Sequence, residues 1–181
     1  MKLPQRKSPR LQGYDYSQDG AYFVTICTKN MHCLFGKVIN DRMSLNQYGK
    51  IAHLCWLNIP GHFQHIKLDH FIVMPNHIHG IIILDKGDVR TRHASSVQSS
   101  TSKISSNPKG VESGSLGAII GSYKSAVTKQ IHALAPNLSV WHGRYHDHII
   151  RSESSLNYIR RYIIYNPELW NKDRYYRDDG R

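Results

Sequence analysis

The chain has 181 residues, 40% hydrophobic and 20% charged, a globular composition long enough for one well-buried domain. Lys and Arg number 24 against 13 Asp and Glu, and the net charge of +11 points to a polyanionic partner, nucleic acid or an acidic membrane. Three cysteines (Cys27, Cys33, Cys55) without a Cys-x-x-Cys pair argue against a disulfide framework or a zinc knuckle. No apolar stretch reaches membrane-spanning length, and the basic start MKLPQRKSPR lacks the apolar core of a signal peptide, so a cytoplasmic protein is expected.

Residues 1–19 carry Lys2, Arg6, Lys7 and Arg10 with no acid before Asp15, and read as a mobile basic arm or a loosely docked leader. A single domain is expected over 20–181. Ala21 to Thr28, rich in β-branched and aromatic residues, reads as the first strand. Asn40-Asp41 is a turn signal between two short strands, Leu34 to Ile39 and Arg42 to Leu45. Asn46 is placed to cap a helix carrying Ile51, Ala52, Cys55 and Ile59 at helical spacing, which Pro60-Gly61 is expected to end. Ile66 to Met74 reads as a strand.

After the Pro75-Asn76 turn comes the strand His77 to Leu84. Residues two apart in a strand share a face, so His77 and His79 leave the sheet on one side while Ile78 and Ile82 pack on the other. Two neutral imidazoles so placed are either ordinary sheet histidines or half of a metal site.

Composition then shifts. Nine serines between Ser95 and Ser115 mark a flexible insertion, at about 86–113, too long for an ordinary connection. Leu116, Ile119, Ile120, Tyr123, Val127, Ile131 and Leu134 lie on one stripe of a long amphipathic helix. A short strand, His146 to Ile150, precedes a last helix from an N-cap at Ser152 to about Asn166, stopped by Pro167.

This order predicts an α+β fold, an antiparallel sheet with helices on one face, a ferredoxin-like or RRM-like sandwich. On the last helix, Tyr158, Tyr162 and Asn166 follow one another at one-turn spacing, beside an anchoring stripe of Leu156, Ile159 and Ile163. Such a pattern is either a set of half-buried tyrosines or a phenol and an amide oxygen presented together to the histidine face.

The chain resembles the REP-associated tyrosine transposases, single-strand insertion-sequence enzymes of the HUH endonuclease superfamily. The likeness runs through GYDYSQDGAYFVTICT (13–28), MPNHIHGIII (74–83), GSYKSAVTKQI (121–131) and VWHGRYHDHIIRSESSLNYIRRYIIYNP (140–167). It implies that His77 and His79 bind a divalent cation, magnesium or manganese. Tyr162 would be the attacking tyrosine, with Tyr158 and Tyr165 as rivals, and Asn166 the third ligand, where related small transposases have glutamine. His146-Asp147 stands where relatives often carry an aromatic residue and Glu, before a matching His148. The implied activity is cleavage and rejoining of single-stranded or hairpin DNA through a covalent 5′-phosphotyrosine, by a monomer or homodimer, with neither a membrane partner nor a small-molecule substrate.

Lys124, Lys129, Arg144, Arg151, Arg160 and Arg161 are candidates to hold the DNA backbone, and aromatics such as Tyr123 or Tyr145 to stack on bases. Two other readings use the same residues. One is a non-catalytic DNA- or RNA-binding protein on this fold. The other is a metal-dependent hydrolase built on His77-x-His79 or on His146-x-His148.

Overall fold

A computed structural model describes residues 13–85, 87 and 114–177. Strands β1 (Gly20–Cys27), β2 (Gly36–Ile39) and β3 (Arg42–Leu45) come first, then helices α1 (Gln47–Leu57) and α2 (Ile59–His62). Strands β4 (Ile66–Val73) and β5 (His77–Leu84), helix α3 (Leu116–His132), strand β6 (His146–Ile150) and helix α4 (Glu153–Tyr165) complete the order. The main sheet runs β4-β5-β1-β6, and every neighbouring pair is antiparallel. With the β2–β3 hairpin set aside, this is the βαββαβ order of a ferredoxin-like sandwich, as expected.

Local chemistry accounts for most boundaries. Asn40 and Asp41 turn the hairpin with φ of 50° and 59°, the left-handed region that Asn and Asp tolerate. The side chains of Asn46, Ser115 and Ser152 accept backbone N–H bonds from Gly49, Ala118 and Ser155, capping α1, α3 and α4. Pro60-Gly61 does not simply end the helical region. Pro60 sits in the first turn of α2, where its missing N–H has no partner to lose.

Alternation along the strands divides the sheet into two faces. Tyr22, Val24, Ile26, Ile78, Ile82 and Leu84 point to one face and join Ala52, Trp56, Ile119, Ile120, Tyr123 and Val127 of α1 and α3 in the main core. Trp56 is fully buried over Gly80, where an added Cβ would collide with the indole. The Tyr123 hydroxyl donates to the Ala52 carbonyl at 3.0 Å, tying α3 to α1.

α4 lies on the opposite face. Its Leu156, Ile159 and Ile163 pack against Phe23, Ile72, Ile81, Ile83 and Ile150. The single helical face expected from the element order is therefore corrected to α1 and α3 alone. The apolar stripe of α4 matches the apolar residues flanking the histidines, which draws this helix over them.

Residues 13–19 are docked. Tyr16 is buried, its carbonyl accepts from the Leu116 N–H at 3.0 Å, and the Tyr14 and Tyr22 hydroxyls are 3.2 Å apart. The rest of the basic arm, residues 1–12, and the serine-rich insertion apart from Gly87 and residues 114–115 lie outside the described residues. No helix among the described residues is long and apolar enough to cross a membrane.

Candidate active site

His77 and His79 leave β5 on the α4 face, both buried, with ring centroids 4.4 Å apart. The side chain of Asn76 fixes the first of them. Its Nδ2 donates to the carbonyls of Met31 at 3.1 Å and Tyr175 at 2.8 Å. Its Oδ1 then accepts from Nδ1–H of His77 at 2.9 Å. The tautomer follows from that bond: the lone pair of His77 is on Nε2, a buried atom without a hydrogen-bond partner. A buried acceptor left so carries a desolvation cost, which a bound cation would offset.

The Nδ1 of His79 lies 2.9 Å from the Thr25 hydroxyl, which fixes its ring in turn. Burial lowers the His77 pKa to about 4. Burial, and then the neighbouring His77, hold His79 well below the ordinary imidazole value. Both rings are thus neutral at pH 7, the form that can ligate a metal.

A third ligand candidate comes from beyond α4. Donor atoms of His77, His79 and Asp173 all lie within 4.8 Å of one another. That span is close to twice a metal–ligand bond of about 2.0–2.2 Å. The Asp173 carboxylate is held by Asn166, whose Nδ2 donates to Oδ2 at 2.8 Å, and by the Tyr175 N–H, which donates to Oδ1 at 2.7 Å. The Tyr162 hydroxyl donates to Oδ2 at 3.3 Å and is 3.2 Å from His79 Nε2. Two neutral imidazoles and a carboxylate fit a divalent cation.

Asn166 is buried at the C-cap of α4, and its Oδ1 has no hydrogen-bond partner. The amide expected as third ligand and the carboxylate that sequence reasoning missed therefore meet at one place. Burial first, then the negative charge of Asp173, push the Tyr162 pKa up, so the phenol is neutral in the free protein. Its ring lies over His79, with centroids 5.1 Å apart, and edge-on to Phe23.

The other candidates are dispersed. Tyr158 and Tyr165 are 73% and 50% exposed. His146 and His148 are exposed on the edge strand β6, in register with Thr25 and Phe23. Lys124 donates to the His142 carbonyl at 2.7 Å and lies over Trp141, and burial lowers its pKa. Lys129 is exposed on α3, on the layer away from the histidines. Arg160 forms a two-pronged pair with Asp69, at 2.9 and 2.6 Å. Arg144, Arg151 and Arg161 are exposed. Of the two aromatics named for stacking, Tyr123 is buried in the main core. Arg174, which no spacing pointed to, lines the cleft beside Tyr162.

No family model matches the chain. An uncharacterized protein of Haemophilus influenzae is 39% identical over 176 residues, spanning 97% of this chain and 96% of the relative. The two proteins belong to one family. The structure of a REP-associated tyrosine transposase bound to a REP hairpin aligns with a TM-score of 0.51 at 16% identity, over 93% of this chain and 73% of that one. This member of the Haemophilus protein's family thus has the fold of a REP-associated tyrosine transposase, as its motifs implied.

Proposed function

We propose that this protein is a transposase-type DNA strand transferase, with Tyr162 as its nucleophile and single-stranded or hairpin DNA as its substrate. The observation that carries the reading is the convergence of a phenol, two neutral imidazoles and a carboxylate on one buried spot beside an open cleft. His77, His79 and Asp173 would hold a divalent cation, magnesium or manganese. Asn166 orients Asp173, and its unpartnered Oδ1 keeps it a candidate ligand in its own right. When bound, the cation would neutralise charge on Asp173 and on the scissile phosphate, easing formation of the phenolate.

The chain's own groups do the rest. Phe23 and His79 fix the Tyr162 ring, so the attacking oxygen is placed before substrate arrives. That oxygen bonds to phosphorus and the bond to the 3′ oxygen breaks. The phenolic proton passes through solvent in the cleft to the departing 3′ hydroxyl. The phosphotyrosine retains the energy of the broken bond, so a 3′ hydroxyl can reverse the step and join DNA without a nucleotide cofactor. A phosphate inside an intact duplex would not reach a phenol set between helix and sheet, which favours an unpaired substrate. Arg144, Arg151, Arg161 and Arg174 are exposed cations that could hold its backbone.

The test is a denaturant-stable protein–DNA adduct on labelled hairpin oligonucleotides carrying single-stranded flanks. Adduct should form with manganese, disappear in Tyr162→Phe, and fall steeply in His77→Ala and His79→Ala. Binding without any adduct would favour a non-catalytic module. An adduct persisting in Tyr162→Phe would move the nucleophile to Tyr158 or Tyr165.

A further inference from the structure

A cleft of about 430 Å³ opens between β6 and α4, and Tyr162 is among the residues that line it. Its walls carry Tyr158 from α4 and His146 and His148 from β6, and Arg174 also lines it. The volume is within the roughly 300–1,000 Å³ of small-ligand clefts. Tyr158 lies one helical turn before Tyr162 on the same side of α4. Tyr158 is 73% exposed, while Ile159 and Ile163 bury the helix against the sheet. The Tyr158 ring is thus a large apolar surface that the core does not use.

We propose that this cleft is a nucleotide subsite, in which a base flanking the cleaved phosphate stacks on Tyr158. The inference rests on the reading of Tyr162 as nucleophile. Every base has a π face, so a stacked phenol accepts any of them and adds affinity without sequence choice. His146 and His148 bring groups that donate and accept hydrogen bonds to the opposite wall, where a base edge would lie. The Arg174 guanidinium lies 4.7 Å from the centre of the Tyr175 ring, a stacked placement that leaves its N–H edge for a phosphate. The departure from the family pattern at His146 thus acquires a role: the strand edge beside the nucleophile carries imidazoles at the base-reading position.

The experiment uses the full chain in the Tyr162→Phe background, so that binding is measured without cleavage. The probe is a fluorescent hairpin oligonucleotide on which the wild-type protein forms its adduct, with single abasic replacements scanned across the cleavage position. Tyr158→Ala should weaken binding about tenfold, and Tyr158→Trp should preserve it. An abasic replacement at one of the two nucleotides flanking the cleaved phosphate should cost a similar factor. Combined with Tyr158→Ala, that replacement should cost no more than either change alone, while distant replacements multiply. Unaltered affinity in Tyr158→Ala, or independent losses at both flanking nucleotides, would overturn the subsite. Adduct formation by Tyr162→Phe would instead remove the nucleophile assignment, and the coupling would then be measured with divalent cation withheld to suppress cleavage, so the two failures are distinct.

Discussion

The two faces of the sheet are made by alternate residues of the same strands, and they differ in kind. Toward α1 and α3, Tyr22, Val24, Ile26, Ile78 and Ile82 are completely buried, and Gly80 gives its space to Trp56. Toward α4, only a small patch around Ile81, Ile159 and Ile163 is apolar. Next to it stand buried His77, His79 and Asn166, two of them with an unpartnered atom. One face supplies stability, so the other can hold polar groups in a costly arrangement. A one-residue shift in β5 would exchange the two roles.

The sharpest way to break this comparison is to remove the indole. Trp56→Ala should destabilise the protein by about 3–5 kcal/mol, read as a lower denaturation midpoint with manganese absent. The α4 face should fail with it, since β5 serves both. Tyr162→Phe, at the other face, removes one hydroxyl and its hydrogen bonds and should cost no more than about 1.5 kcal/mol. A large loss there would mean that the chemical face also carries the fold.

Next in size is a change beneath the histidines. Asn76 fixes the His77 tautomer and latches the segment bearing Tyr175. Outer-shell partners of this kind change metal affinity by about 10–100-fold. Manganese at a hundred times its dissociation constant should stabilise the wild type by about 2.7 kcal/mol. In Asn76→Ala, the same manganese concentration should give a markedly smaller thermal shift, measured against the variant's own metal-free midpoint. An undiminished shift would show that His77 does not depend on Asn76, or that the ion binds elsewhere.

What sequence could show of this follows the distance over which each feature is built. The facing of His77 and His79 is a period-2 property of one strand. The pairing of Tyr162 with Asn166 is a one-turn property of one helix. Both are local and both were legible. Asp173 is not: it lies beyond Pro167, outside any helical or strand period, and reaches the site because the Tyr175 carbonyl is held by Asn76, 99 positions away. The available hint was a single acid among the cations of NKDRYYR. The two-sided sheet was half legible, since the stripe on α4 said that the helix docks, but only the opposing residues of four strands say where. From sequence Arg160 is a candidate DNA contact, and its pairing with Asp69, 91 positions away, is visible only in the fold.

That partnership gives the smallest expected effect, and it bears on how α4 is held over its face. The ladder between β4 and β5 shifts register between Leu68 and Phe71, and Asp69 lies in that irregularity. It receives two bonds from Arg160, one from the His70 ring and one from the His70 N–H. The Arg160 hydrogen bonds hold its carboxyl well below the ordinary carboxylate range; burial opposes them, and the His70 bonds add a smaller lowering. The folded pKa is therefore below the unfolded one, near 3.9. The pair's contribution is fully present above that value and is lost as pH falls toward the folded pKa. Asp69→Asn should consequently be less stable than wild type at pH 6, with the gap narrowing as pH drops below about 4. Because Arg160 is partly exposed, the gap should be modest and should shrink further in high salt. Since Arg160 is two residues from Tyr162, the same variant at pH 6 should form adduct more slowly than wild type at saturating DNA. A stability gap that widens on acidification would show that Asp69 is not held ionised by Arg160, and an unchanged adduct rate would show that the pair anchors α4 without placing its nucleophile.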